Sequence, residues 1–324
     1  MPGTDRPAGP RVRRRDVDGI LLLDKPQGIS SNNALQRARW LLQAAKAGHA
    51  GTLDPLATGM LPLCFGQATK ACGQLLGSTK AYRATVRFGA ATDTGDADGL
   101  VIAQSSVPNL GPEIVDRVLA ALTGTRGQVP PMYSALKRDG RPLYELARKG
   151  VEVEREARTI RIDRLARLAL DDGSLEIEAV CSKGTYVRVL ATEIAAALGT
   201  HGHLTQLRRL WVEPFDEAGM VTLGHLEAWA EAGGWAQGPP QGLLPVDDAF
   251  PGLPRLELGA GQALGLRQGR ALELPEAGPS GTILRAYDEA RQFLGLVVVG
   301  EEGRIRVQRL FVPGANGNDS SPAT

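Results

Sequence analysis

Apolar and polar positions follow two alternating periods along the chain, and the switches between them mark out its elements. Ile20 to Leu23 is an unbroken apolar run, the pattern of a short buried strand. Ser30 or Ser31 can cap the helix that follows, whose Ala34, Leu35, Ala38, Leu41, Leu42 and Ala45 form one apolar stripe. Ala68, Ala71, Cys72, Leu75 and Leu76 repeat the helical spacing. The period then changes to two: Tyr82, Ala84, Val86 and Phe88 alternate with Arg83, Thr85 and Arg87, which predicts a half-buried strand. Pro112 opens another amphipathic helix with Ile114, Val115, Val118, Leu119 and Leu122 on one side. Leu175, Ile177, Ala179 and Cys181 alternate again. A helix carrying Val187, Leu190, Ala191, Ile194 and Leu198 then runs to a stop at Gly199.

Strands fall in adjacent runs and helices interleave with them unevenly, without internal repeats. That ordering predicts an α+β fold, a mixed or antiparallel sheet with helices packed on it. The stretch from Gly233 to Gly242, Gly-Gly-Trp-Ala-Gln-Gly-Pro-Pro-Gln-Gly, has the composition of a linker. Beyond it, Thr282 to Tyr287, Phe293 to Val299 and Arg304 to Phe311 predict short strands of a small β-rich domain. The expected division is therefore a disordered basic tail at 1–18, a large domain at 19–232, a linker at 233–243, a small domain at 244–313 and a disordered tail at 314–324.

At 324 residues and 43% hydrophobic content the chain can bury a large core with room for a second, smaller one. No apolar run approaches the roughly 18 residues of a membrane span, and residues 1–18 hold no apolar signal region, so a cytoplasmic protein is expected. Cys64, Cys72 and Cys181 form no close pair in sequence and are read as reduced, buried small hydrophobes rather than a disulfide framework. The net charge of +1 is low for a nucleic-acid binder. Its distribution is uneven, with basic clusters at Arg11 to Arg15, Lys137 to Arg148 and Arg208-Arg209. Such clusters steer phosphate locally or are ordinary solvated faces.

Several chemistries are disfavoured. Asp93-Thr-Gly-Asp-Ala-Asp-Gly99 resembles a calcium loop, but its acids fall at the wrong offsets and no Glu closes it, so it is read as a turn. His201 and His203 have no cysteine beside them, which argues against a zinc set. No Gly-rich phosphate loop ending in Lys-Ser/Thr is present.

The stretch His49-Ala-Gly-Thr-Leu-Asp54-Pro-Leu-Ala-Thr-Gly59 places one carboxylate in a run otherwise uncharged apart from His49. Pro55 removes a backbone donor and biases Asp54 away from the α region, while Gly51 and Gly59 permit unusual backbone angles. A shaped loop holding an acid fits this pattern; for an isolated Asp-Pro, a turn or helix cap is the plain alternative. The flanking residues resemble the active-site motif of the bacterial tRNA pseudouridine synthase B family. Four further segments are similar to that family in the same order: Gly19 to Ser31 with Lys25-Pro26, Lys80-Ala-Tyr82-Arg-Ala, Pro131-Met-Tyr-Ser-Ala-Leu-Lys137, and Cys181-Ser-Lys-Gly-Thr-Tyr186-Val-Arg188. Leu207-Arg-Arg209 is a fifth. Ala50, where many members carry Thr, is a small departure.

The resemblance implies a stand-alone, cofactor-free isomerase that converts uridine 55 in the T loop of tRNA to pseudouridine, working as a monomer without guide RNA or obligate protein partner. It implies that Asp54 acts at the ribose C1′, by stabilising oxocarbenium-like charge, by covalent attack, or in an elimination to a glycal. Tyr82 becomes the platform on which the extruded base stacks and a possible proton acceptor, although periodicity alone makes it a core residue. Arg188 becomes the partner that keeps Asp54 ionised, a role that competes with that of a surface arginine at a helix start. His49 is implied to fill the space the base leaves, Tyr186 and Leu207 to line the uridine pocket, and Lys25 and Pro26 to support the catalytic loop. The small C-terminal domain would be related to the PUA RNA-binding fold. An RNA-binding or tRNA-folding protein, and a guide-dependent dyskerin-type enzyme, are the competing readings.

Overall fold

The computed structural model describes residues 14–138 and 140–311. Residues 1–13 of the tail expected at 1–18, and the whole of the tail expected at 314–324, lie outside the described residues. One mixed sheet organises the large domain. Its strands run in the spatial order Leu243–Leu244, Gly19–Lys25, Thr58–Phe65, Gly202–Val212, Lys80–Phe88, Ser174–Cys181, Arg158–Asp171 and Gly124–Gln128, and Ala47–His49 pairs with Thr58–Phe65 as a side branch. Every pairing in this sheet is antiparallel except one. Gly202–Val212 meets Thr58–Phe65 in parallel, through only Arg208 opposite Thr58 and Arg209 opposite Gly59. The sheet is thus two antiparallel halves joined at a short seam.

The two faces of the sheet have different covers, and this explains the two apolar patterns in the sequence. On one face, Leu21, Leu23, Leu61, Leu63, Tyr82, Ala84, Val86, Ile177 and Ala179 pack under the helices Ser31–Leu41, Pro112–Leu122, Val187–Ala197 and Leu223–Glu231. On the other face, only the half containing Gly19–Lys25 and Thr58–Phe65 is covered. There Ile20, Leu22, Met60, Cys64 and Val212 pack with Phe215, Phe250, Leu296 and Phe311. A strand covered on both sides reads as a continuous apolar run, whereas Lys80–Phe88 has an exposed second face and therefore alternates. The predicted helix caps follow the same logic: Ser30 is the N-cap residue and its side chain accepts from the Asn33 N–H at 3.1 Å.

The α+β architecture agrees with the expectation, and so does the small β-rich domain. Five short strands form it, in the order Arg255–Glu257, Ile283–Tyr287, Phe293–Val299, Arg304–Leu310 and Leu272–Glu273, with the helix Ala260–Arg267 against them. The stretch expected to be a linker is packed instead. Trp235 stacks edge-on against Trp229 and donates its indole N–H to the Leu42 carbonyl at 2.9 Å, and Leu243 and Leu244 pair with Leu21 and Ile20. The two tryptophan rings supply the apolar area that its glycines and prolines lack. Arg14 to Asp18, expected within the basic tail, also packs: Val17 is buried and the Arg15 N–H donates to the Gln43 carbonyl at 2.7 Å. Lys70 ties the two domains together by donating to the Leu310 carbonyl at 2.7 Å.

The seam depends on the absence of a side chain at Gly59, which has φ +96°; a Cβ there would land on the Arg209 carbonyl oxygen. Gly28 has a similar φ of +86° but open space around it. Gly28→Ala should therefore cost only the left-handed backbone penalty, about 1–2 kcal/mol. Gly59→Ala should cost that plus a further 1–3 kcal/mol or so from overpacking. Thermal unfolding of the two variants checks the difference; equal Tm losses would show that the seam tolerates a wider spacing.

Candidate active site

The loop between the Ala47–His49 and Thr58–Phe65 strands runs onto the seam, and its residues divide into anchors and one free carboxylate. Leu53, Leu56 and Ala57 are buried and pull the loop down onto the helix-covered face. Ser31 clamps it from the first helix, accepting from the Leu53 N–H at 2.8 Å and donating to the Leu53 carbonyl at 3.0 Å. The Pro55 carbonyl accepts from the Gly28 N–H at 2.8 Å. With both neighbours anchored, Asp54 projects into a cavity of about 320 Å³ lined also by Tyr82, Tyr186, Arg188 and Leu207.

Arg188 fixes the carboxylate. It is the second residue of Val187–Ala197, so the helix backbone sets its position, and its side chain is only 5% exposed. Each guanidinium nitrogen has its own acceptor: Nε donates to Asp54 Oδ2 at 2.8 Å, Nη1 to the Thr94 carbonyl at 2.6 Å and Nη2 to the Tyr133 carbonyl at 2.7 Å. A second carboxylate, Asp96 Oδ2, lies 3.6 Å from Nε. One arginine therefore ties together the Asp54 loop, the Asp93–Gly99 turn and the Pro131–Lys137 segment. Charge-assisted bonds with both planar sides of the fork in use leave it little rotational freedom.

The electrostatics around this pair are opposed. Burial pushes the Asp54 carboxyl above the usual carboxylate range, Arg188 and Lys25 pull it down, and Asp96 pushes it up again. The Asp54 side chain keeps 36% of its surface open to the cleft, so a substrate can reach it. Burial also raises the phenol of Tyr82 against the pull of Arg209, and it raises the phenol of Tyr186. Both tyrosines are therefore neutral hydroxyls at physiological pH.

The structure brings Asp54, Tyr82, Tyr186, Arg188 and Leu207 to one cavity. His49, Lys25 and Pro26 do not line it. His49 ends the short strand before the loop, half-buried, with burial first and Arg209 second lowering its pKa, so its ring is neutral. Lys25 is wholly buried behind the loop, where its Nζ donates to the carbonyls of Pro26 and Ile29, each at 2.8 Å, and weakly to Pro55 at 3.5 Å. Burial brings its pKa down to about 8. Its ammonium gathers carbonyls from both sides of the loop base, which is a supporting position rather than a contact surface.

Three residues at the site escape a reading of composition and charge. Asp96 sits in the acidic turn that resembles a calcium loop; it is 4% exposed and faces Arg188. Arg209, one of an expected basic surface pair, is 1% exposed and donates Nε to the Met60 carbonyl at 2.6 Å and Nη2 to the Gly51 carbonyl at 3.2 Å, bracing the loop from its other end. Its neighbour Arg208 is held by Asp24 through two bonds of 2.9 and 3.0 Å. Ser134 is buried in the cavity wall beside Tyr186. A buried arginine and an exposed one look alike in sequence, because only the strand register assigns each its face.

Comparison with known proteins follows this geometry. Residues 39–187 match the TruB family pseudouridylate synthase N-terminal domain, 188–250 the tRNA pseudouridylate synthase B C-terminal domain, and 254–311 the pseudouridine synthase II TruB C-terminal domain. The tRNA pseudouridine synthase B of Aromatoleum aromaticum is 53% identical over 300 residues, covering 93% of this chain and 94% of that one. The protein of the same name from Yersinia pestis is 44% identical over 308 residues, 94% and 95% of the two chains. Among solved structures, one chain of a Cbf5-Nop10-Gar1 complex superposes with a TM-score of 0.68 at 22% identity, over 91% of this chain and 85% of that chain, a likeness of fold.

Arg188→Met would leave Asp54 and Asp96 facing each other without the cation between them. The folded-state pKa of Asp54, already raised by burial, should then rise further. Its ionised form, present above that pKa and lost as pH falls through it, should disappear at a higher pH than in the parent protein. Following the Asp54 carboxyl carbon by NMR across a pH series checks this, and an unmoved midpoint would show that Arg188 does not govern its charge. Tm should fall as well, by an amount equivalent to roughly 3–5 kcal/mol for breaking a buried pair.

Proposed function

Because the chain belongs to the TruB family of pseudouridylate synthases, we propose that it isomerises a uridine of tRNA to pseudouridine, at position 55 in the T loop, with the Asp54 carboxylate acting at the ribose C1′. The observation that carries this reading is the Asp54 carboxylate, fixed by Arg188 at 2.8 Å and open to a cavity walled by Tyr82. A target base inside folded RNA must leave its stack to reach such a cavity. Its volume of about 320 Å³ lies at the small end of the range for ligand clefts, which suits one nucleoside rather than a helix.

The parts of the reaction then fall to particular residues. The carboxylate meets positive charge developing at C1′ as the bond to N1 breaks, either stabilising it or adding to it. Arg188 holds the acid ionised and aimed. Tyr82 offers a neutral aromatic face for the detached uracil to stack on while C5 turns toward C1′, and its hydroxyl can relay the proton that C5 must lose by passing its own proton on to solvent. Tyr186 and Leu207 close the sides of the pocket. His49, beside the loop and uncharged, is suited to occupying the gap in the RNA stack. Lys25, with Pro26, keeps the loop base from moving. Atoms and oxidation state are unchanged overall, so the reaction itself requires no redox cofactor and no energy source.

Affinity for tRNA would come from phosphate contacts away from the cavity. The exposed residues Lys137, Arg138, Arg141, Arg148 and Lys149 border the Pro131–Lys137 segment, and the small C-terminal domain extends the surface. In this reading the enzyme works in the cytoplasm as a monomer, without guide RNA or partner protein. Among the described residues, no helix is long and apolar enough to cross a membrane.

The test is to incubate purified protein with an unmodified tRNA transcript and map pseudouridine; absence of product in the T loop would overturn the proposal. Asp54→Asn should bind the transcript at least as tightly as the parent and yield no detectable pseudouridine. Tyr82→Phe keeps the stacking face and removes the hydroxyl. Turnover should fall by about 100-fold to 10,000-fold if that hydroxyl transfers a proton. Near-normal turnover would leave Tyr82 as a stacking surface alone.

A further inference from the structure

Two cysteines that the sequence keeps apart meet beneath the catalytic loop. Gly48 lies opposite Cys64 in the antiparallel ladder between Ala47–His49 and Thr58–Phe65. Residues opposite one another in such a ladder project to the same face. A Cβ added to Gly48 on that face would sit 3.5 Å from the Sγ of Cys72. The 3₁₀ turn Gly66–Ala71 folds the chain back so that Cys72 lies over the space left by the missing Gly48 side chain, on the face to which Cys64 also projects. Cys72 is half-buried, whereas Cys64 is fully buried in the core shared by the two domains. Neither thiol belongs to the catalytic cavity described above.

We propose that Cys64 and Cys72 form an oxidisable dithiol, a modification site at which a hydroperoxide converts two free thiols into a disulfide. Cys72 is the attacking member. Its thiolate takes the distal oxygen of the peroxide, forming an S–O bond as the O–O bond breaks, and the departing oxygen leaves as water after protonation. The Cys64 thiol then loses its proton and attacks the Cys72 sulfenic acid; the S–S bond forms, the S–O bond breaks, and a second water leaves. The two sulfurs are oxidised by two electrons in total, and one molecule of hydrogen peroxide is reduced to two of water.

The surroundings assign these roles. The neighbouring Cys64 side chain pulls the Cys72 thiol down, with the charge of Lys46 adding to it against the effect of burial. The neighbouring Cys72 side chain, and then burial, push the Cys64 thiol up. A partly exposed thiol of lowered pKa next to a protected partner is the arrangement of an attacking and a resolving cysteine. Cys181 provides an internal control, since it is buried, away from this pair, and burial pushes it up to about 11.

Sequence around the pair makes the product easy to detect. Trypsin cleaves after Lys46, Lys70 and Lys80, so the two cysteines fall on separate peptides, 47–70 and 71–80, which only a disulfide would hold together. The full-length protein is treated with hydrogen peroxide while folded, free thiols are blocked with N-ethylmaleimide, and the peptides are mapped by mass with and without reduction. The expected result is a linked 47–70/71–80 species that dithiothreitol separates, with Cys181 still a free thiol on denaturation. Cys64→Ser should lose the link and leave a dimedone-reactive sulfenic acid at Cys72, while Cys72→Ser should leave Cys64 unoxidised. Circular dichroism confirms that both variants are folded. Two unlinked thiols after peroxide, oxidation of Cys72 to sulfinic acid without linkage in the parent protein, or equal oxidation of Cys64 in Cys72→Ser would each overturn the proposal.

Discussion

The ion pair between Arg188 and Asp54 is the interaction on which the site depends. Placing a carboxylate among Leu53, Leu56 and Tyr82 is unfavourable unless a cation accompanies it, and placing an arginine at 5% exposure is unfavourable unless all its donors are used. Each group makes the burial of the other tolerable. Such a pair contributes little net stability compared with apolar residues of the same volume. What it secures is geometry, because the guanidinium also binds the Thr94 and Tyr133 carbonyls and so holds three separate chain segments around the acid.

The seam in the sheet is the second constraint. The parallel junction of Gly202–Val212 with Thr58–Phe65 has only two residue pairs, and the loop carrying Asp54 enters it directly. Arg209 closes the seam from within, giving Nε to Met60 and Nη2 to Gly51, while Lys25 collects the carbonyls of Pro26 and Ile29 behind the loop and, weakly, that of Pro55 within it. Two buried cations thus hold the backbone on either side of one acid. Lys25 pulls down the pKa of that acid, whereas Arg209 acts on its neighbours, adding to the effect of burial that lowers His49 and opposing the burial that raises Tyr82. In the proposed reaction Arg188 and Lys25 favour an ionised carboxylate, and burial, against the pull of Arg209, keeps the Tyr82 phenol neutral beside it, a combination suited to stabilising positive charge on a sugar whose base has detached.

The dithiol lies on the opposite face of the same strand that the loop feeds into. Leu61 and Leu63 of Thr58–Phe65 face the helices, and Met60 and Cys64 face the C-terminal domain. The short turn after Cys64 carries Lys70 to the Leu310 carbonyl, and the helix Cys72–Gly77 beyond it brings Leu76 to the wall of the Asp54 cavity. One strand and the turn that follows it therefore join the loop, the cavity wall and the second domain. This makes the position of the two thiols mechanically close to the site without making them part of it.

Much of this was determined by the sequence alone. Period and caps located the principal helices and strands, because burial of one helical stripe or one strand face leaves a regular mark on neighbouring residues. The loop chemistry around Asp54 was also local, since Pro55 and the flanking glycines act on the backbone where they stand. Other features required the tertiary structure. Asp96 was hidden in a turn that resembled a calcium loop, Arg209 in a basic pair, and the Cys64–Cys72 contact behind an eight-residue separation. The stretch from Gly233 to Gly242 was composed like a linker, yet Trp235 docked it against Leu42. Composition and spacing report what a residue and its neighbours prefer; they do not report which distant strand or helix comes to lie against it. Long-range register decided whether a charge became a solvated patch or a buried brace, because only the partner across the fold could neutralise it.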